Sequence, residues 1–199
     1  MIFGKERVDV ITQELGSLIT VQNCPIAEFQ YKKGFFVNPA EADAAGSYEP
    51  FHTETDVWEG PDEHYWFRTE LTVPESFEGK PLWLYFCTDR VYWDAVNPQF
   101  LAFVNGEPIQ GVDINHREVL LTRCAKAGET YRLDLQAYTG RDTNEHAGED
   151  FRLELHASYM ERSEEIERLF YNLTVANEIA GWLEKDNMSR IALEKALNE

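Results

Sequence analysis

Two seven-residue stretches constrain the fold most. YRLDLQA at residues 131–137 alternates Tyr131, Leu133, Leu135 and Ala137 with Arg132, Asp134 and Gln136. FRLELHA at 151–157 repeats the pattern with Phe151, Leu153, Leu155 and Ala157. Successive strand side chains point to opposite faces, so this period predicts strands that bury one face and wet the other. WFRTELTV at 66–73 likewise puts Phe67, Leu71 and Val73 on one side. Residues 81–87 and 100–104 are nearly all apolar, as suits central strands covered on both faces. Asn105-Gly106 then supplies a dipeptide that accepts the positive φ of a tight hairpin, and residues 117–121 add a further strand. None of these connections has room for a crossover helix. The predicted fold is mainly β, an antiparallel β-sandwich.

Helices are expected on either side. Val8, Ile11, Leu15, Leu18 and Ile19 recur at helical spacing between residues 6 and 19, and Asn23-Cys-Pro-Ile is expected to end that segment. A short strand follows at 27–31, then a loop at 34–50 marked by Pro39, Gly46 and Pro50. Ser163 heads a second helical region as an N-cap before acidic residues. Its stripe is Ile166, Leu169, Phe170, Leu173, Ala176, Ile179, Trp182 and Leu183. Asp186-Asn187 interrupts it before a last helix at 189–197. The expected division is a helical segment at 1–22, the sandwich at 23–161 and a helical linker at 162–199. A stripe that continues to the final residues looks like part of a longer protein.

Charge narrows the partners. With 18 Lys and Arg against 36 Asp and Glu, the formal charge is −18. Phosphate backbones and anionic lipid surfaces are therefore disfavoured, while a neutral glycan or another protein meets no such barrier. No apolar run approaches the ~20 residues of a membrane span. Charges at the N-terminus replace the apolar stretch of a signal peptide, so the expected location is cytoplasmic. Cys24, Cys87 and Cys124 have neither the even count of a disulfide framework nor the close pairing of a zinc site. Buried free thiols in a reducing compartment are expected.

Motifs for chemistry are absent: there is no nucleophile elbow, phosphate loop or His-Glu-x-x-His pair. Asp142, His146, Glu149 and Asp150 form the densest polar cluster, read as a solvated hairpin ahead of a metal site. His156 alternates with apolar positions and is expected to face solvent or a polar partner. Tyr92, Trp93 and Asp94 are the candidate carbohydrate contacts. An aromatic face stacks on the C–H face of a sugar while a neighbouring carboxylate accepts hydroxyl hydrogen bonds. The competing reading has Trp93 packing over the end of the core or against another domain.

The order of the central motifs adds a resemblance. Tyr65-Trp66-Phe67-Arg68 leads into Leu71-Thr72-Val73-Pro74, and Gly79-Lys80 precedes the apolar 81–87 segment. Ala102-Phe103-Val104-Asn105-Gly106-Glu107, Gly111-Val112-Asp113 and Ala127-Gly128-Glu129-Thr130-Tyr131 follow. This resembles the N-terminal jelly-roll domain of family-38 glycoside hydrolases, the α-mannosidases of the cytosolic and bacterial type, over roughly residues 7–197. Several of the motifs also resemble the galactose-binding-domain-like jelly rolls of family-2 β-galactosidases. The resemblance implies a non-catalytic scaffold or oligomerisation module, preceding a barrel whose start carries a His-x-Asp metal motif. No His-x-Asp occurs here, so the resemblance places the zinc-type metal, nucleophile and general acid beyond Glu199, with no cofactor and no catalytic residue in this chain. The implied partners are that catalytic domain and a second copy of the chain. The alternative is a carbohydrate-binding module of another glycosidase.

Overall fold

A computed structural model describes residues 5–90, 98–141 and 151–197. Two compact units divide the chain, one formed by Met1–Gln22 with Arg162–Glu199 and the other by Asn23–Glu161. The second is an antiparallel, jelly-roll-like β-sandwich, with helices before and after it in sequence.

The larger sheet has six strands. In spatial order they are β3 (Glu49–His52), β2 (Glu28–Lys33), β5 (His64–Thr72), β10 (Thr130–Tyr138), β7 (Gln99–Val104) and β8 (Glu107–Val112). The facing sheet has four, β1 (Thr20–Pro25), β12 (His156–Arg162), β6 (Leu82–Cys87) and β9 (Glu118–Thr122). A two-stranded pair joins β4 (Trp58–Glu59) to β11 (Arg152–Leu153). The alternation read from sequence fills the space between the sheets. Phe67, Leu133, Leu135, Ala137, Phe100 and Ala102 meet Leu82, Leu84, Phe86 and Val119 in one buried cluster. Phe67 is its aromatic hub, with the rings of Phe51, Trp58 and Tyr31 at 5.0, 5.6 and 5.9 Å. The Asn105-Gly106 hairpin forms as expected, with φ of 51° and 93° between the paired Val104 and Glu107.

Several expectations are corrected. Asn23-Cys-Pro-Ile is not what ends the first helix, which stops at Leu18: β1 begins at Thr20 and runs through Pro25. It is an edge strand with the proline as its last residue, where a missing N–H interrupts no ladder. The 34–50 loop contains α2 (Pro39–Ala44), started by the Asn38 side chain accepting from Glu41 N and by proline in the first turn, and it includes the start of β3. Residues 151–157 keep their alternating burial but split between β11 and β12, which pair with different partners. In β6 only Leu82, Leu84 and Phe86 are buried, so that strand is covered on one face, whereas β7 is covered on both. Cys24 and Cys87 are half-buried and Cys124 is exposed, all three without a disulfide. His156 does face solvent, beside Glu154 at 3.2 Å.

The helical unit holds α1 (Lys5–Leu18), α3 (Glu164–Trp182) and α4 (Met188–Ala196). Ser163 caps α3 by accepting from Ile166 N, as its position in the sequence predicts. Gly16 lets α1 approach α3: a Cβ there would lie 3.4 Å from the Phe170 ring. Asn177 donates to Asp9 at 2.8 Å across the same contact. The broad α3 stripe is not buried as its length suggests. Of its eight positions none falls in the buried class, and the buried residues of α3 are Asn177 and Ala180. Trp182 is 82% exposed.

Candidate functional site

The site is built on the outer face of the six-stranded sheet. Register aligns Gln30, Arg68, Asp134 and Phe103 across β2, β5, β10 and β7, with Lys32, Trp66, Gln136 and Leu101 in the neighbouring row. The alternating pattern predicts this face to be wet. It is not, because residues 34–48 form a strap across it. Ala42, Phe36 and Tyr48 of the strap pack there on Trp66, Phe103 and Leu101 of the sheet.

Asp134, fully buried, centres the network. It accepts from the Trp66 indole at 2.8 Å, from Arg68 Nε at 2.6 Å and from Arg132 Nε at 2.8 Å. Asp43 of the strap pairs with the outer ends of both guanidiniums, reaching Arg132 at 3.1 Å and Arg68 more closely. Burial alone would raise the Asp43 carboxyl, but Arg68 and Arg132 hold it below the usual carboxylate range. Lys32 pins the strap from below by donating to the Ala42 and Gly46 carbonyls at 2.6 Å each, with Nζ 3.9 Å from the Tyr48 ring centre. Burial and the nearby Arg68 push its ammonium below the usual lysine value. Burial, with Asp43 and Asp134 adding to it and Arg68 opposing, pushes the Tyr48 hydroxyl up to about 12. Two carboxylates thus match two guanidiniums, and the ensemble fastens a strap.

A hollow of about 850 Å³ opens beside the network where the β2–β5 ladder ends at Gln30 and Arg68. There the Thr69 hydroxyl donates to the Glu28 carbonyl at 2.8 Å. Glu28, Asp56 and Glu70 line the hollow together with Arg68 and Arg132. Asp43 and Asp134 balance the charge of both arginines, so the remaining charge of the lining is negative, although Arg68 Nη2 has no hydrogen-bond partner among the described residues. His52 and Asp56 also line it but form no acid–base dyad. Asp56 accepts from the His52 backbone N–H at 2.7 Å, and the ring Nδ1 accepts from Glu54 N at 3.3 Å. Phe29 and Phe51 border the hollow while buried, so neither offers a ring face to a ligand.

Tyr92, Trp93 and Asp94, and the cluster of Asp142, His146, Glu149 and Asp150, lie outside the described residues. Among the described residues no group of three or more His, Cys, Asp or Glu side chains is placed to hold a metal ion. No described helix is long and apolar enough to cross a membrane. Sequence reading missed Trp66, Arg68, Arg132, Asp134 and Asp43 as a unit. The available signal was the pair of i, i+2 repeats, Trp66-x-Arg68 and Arg132-x-Asp134, which put donors and acceptor on one sheet face.

No protein-family model matches the chain, and no curated protein matches it. Solved structures with a similar arrangement include a β-glucuronidase from Ruminococcus gnavus in complex with C6-substituted uronic isofagomine. It has 11% identity and a TM-score of 0.47, over 72% of this chain and 29% of that one. A calcium-binding mutant of Bacteroides uniformis β-glucuronidase 2 has 16% identity and a TM-score of 0.46, over 69% of this chain and 18% of that one. This chain thus spans less than a third of the length of either.

Proposed function

We propose that this chain is the non-catalytic N-terminal sandwich module of a glycoside hydrolase of the α-mannosidase type, which docks on the catalytic domain of that enzyme. The order of sequence motifs supports the family reading. One observation carries the docking: Tyr171, Val175, Ile179 and Trp182 recur every three or four residues along α3, and all four side chains are exposed. Apolar surface arranged as a ridge marks an interaction site more often than scattered exposure does. On this reading the outer-face network is architectural, since its charges are spent on holding the strap.

Mixing the chain with its catalytic domain, expressed apart, tests the docking. The pair should co-elute, and Val175→Ser with Trp182→Ser should abolish co-elution while leaving the thermal midpoint of the chain unchanged. Co-elution unaffected by the double variant would remove the ridge from the account.

A second reading, carbohydrate binding by the sandwich itself, is favoured by a different observation. Phe35, on the strap, is 60% exposed and packs on His64, which pairs with Tyr138, whose hydroxyl donates to Asp62.

A further inference from the structure

A corner of the outer face away from the hollow carries what the hollow lacks, an open aromatic ring at one end of a row of rings whose other end is hydrogen-bonded to a carboxylate. His64 opens β5 and Tyr138 closes β10, directly opposite in register. Their ring centres are 4.9 Å apart with a 30° tilt. Phe35 stands over His64 at 4.9 Å and 72°. The Tyr138 hydroxyl donates to Asp62 Oδ1 at 2.6 Å, which holds that carboxylate at the Tyr138 end of the row. Burial and Asp62, with Arg141 opposing, push the Tyr138 hydroxyl above its usual value, so it keeps its proton for that bond.

The exposure of Phe35 is a fixed feature of the backbone. Gly34 N donates to the His64 carbonyl at 2.8 Å, and Val37 N donates to Glu41 at 3.0 Å. Gln136 donates to the Phe36 carbonyl. Gly34 turns the chain at φ 143°, and a Cβ there would come within 2.8 Å of the Phe36 ring. That turn sends Phe36 inward onto Trp66 and leaves Phe35 outward. Asp62 is held as well, at φ 59° with its N–H donating to the Gly140 carbonyl at 2.8 Å. A non-glycine residue in that region is a cost that the surroundings must offset. His64 Nδ1, sheltered from water, has no hydrogen-bond partner among the described residues. Lys33, the nearby cation on β2, is already paired with Glu63 at 2.8 Å.

We propose that Phe35, His64, Tyr138 and Asp62 form a binding site for a neutral pyranose ring. The Phe35 ring takes the C–H face of the sugar and Asp62 Oδ2 accepts a ring hydroxyl. The chain's charge of −18 and Asp62 at the contact oppose phosphorylated and uronic ligands, Arg141 near Tyr138 offsets this only in part, and uncharged sugars are the class that fits. The inference rests on the second, carbohydrate-binding reading above and does not involve the α3 ridge.

The test is a titration of the whole 199-residue chain with methyl α-mannopyranoside and with an α-mannobiose, following the backbone amides and the ring signals of Phe35, His64 and Tyr138 by NMR. Saturable shifts of these rings are expected. Phe35→Ala should weaken binding about tenfold, the loss of a single stacking contact. Asp62→Asn, which keeps volume and hydrogen bonding, should weaken it as well and serves alone if Phe35→Ala fails to fold. Unaltered affinity in either folded variant overturns the site. Saturable shifts confined to Gln30, Thr69 and Glu70 overturn it while leaving carbohydrate binding standing. No saturable shift anywhere overturns both.

Discussion

Replacing Asp134 by alanine is expected to cost the sandwich about 3–5 kcal/mol, read as a lowered urea midpoint with the slope unchanged. The carboxylate is wholly buried and satisfies three donors, one of them on Arg68, whose side chain is only 17% exposed. Its removal leaves a guanidinium and an indole N–H without their acceptor inside the protein, and that outweighs the carboxylate's own desolvation. A loss below about 1 kcal/mol would mean that water shares the network as it does a surface pair. Acid should loosen the same strap from its outer side. The Asp43 carboxyl is held low in the folded state, so its contribution is present above the ordinary unfolded aspartate value and is lost as pH falls through the depressed one.

The second large effect belongs to the core. Phe67→Ala is expected to cost about 3–5 kcal/mol, because the ring is fully buried and the surrounding aromatic side chains cannot collapse into its space. Those neighbours come from β2, β3, β4 and β5, so the loss should be global. Calorimetry would show one transition shifted downward. A separate, early transition confined to β2 and β3 would contradict the single-core account of the sandwich.

The strands were legible because their inner faces are apolar at period two, which Leu133, Leu135 and Ala137 illustrate. The opposite face was misread for a physical reason. Periodicity assumes that a polar residue on a strand meets water, yet the strap returns over β10 and seals Asp134 against Trp66 and Arg68. That contact joins positions 66 residues apart, which no local window detects. The strap helix is too short for a periodic signal, and its evidence was the Asn38-Pro39 start. On α3 the helix was read correctly but its covered face was not: none of the eight stripe positions is buried, and the buried residues, Asn177 and Ala180, lie outside the stripe. Ala180 is covered and Trp182 is not. The site read from sequence, Tyr92 to Asp94, lies outside the described residues. An exposed ring and a carboxylate occur at the two ends of the Phe35–His64–Tyr138–Asp62 row, which the Gly34 turn and the Tyr138 register assemble.

The central claim, a non-catalytic module of an α-mannosidase, is tested most directly by activity on an aryl α-mannoside. The purified 199-residue chain and the full product of the reading frame that encodes it are assayed side by side with added divalent metal. The account predicts metal-dependent turnover by the full product and none by the chain alone. Turnover by the chain alone, or a full product inactive on α-mannosides, would contradict it.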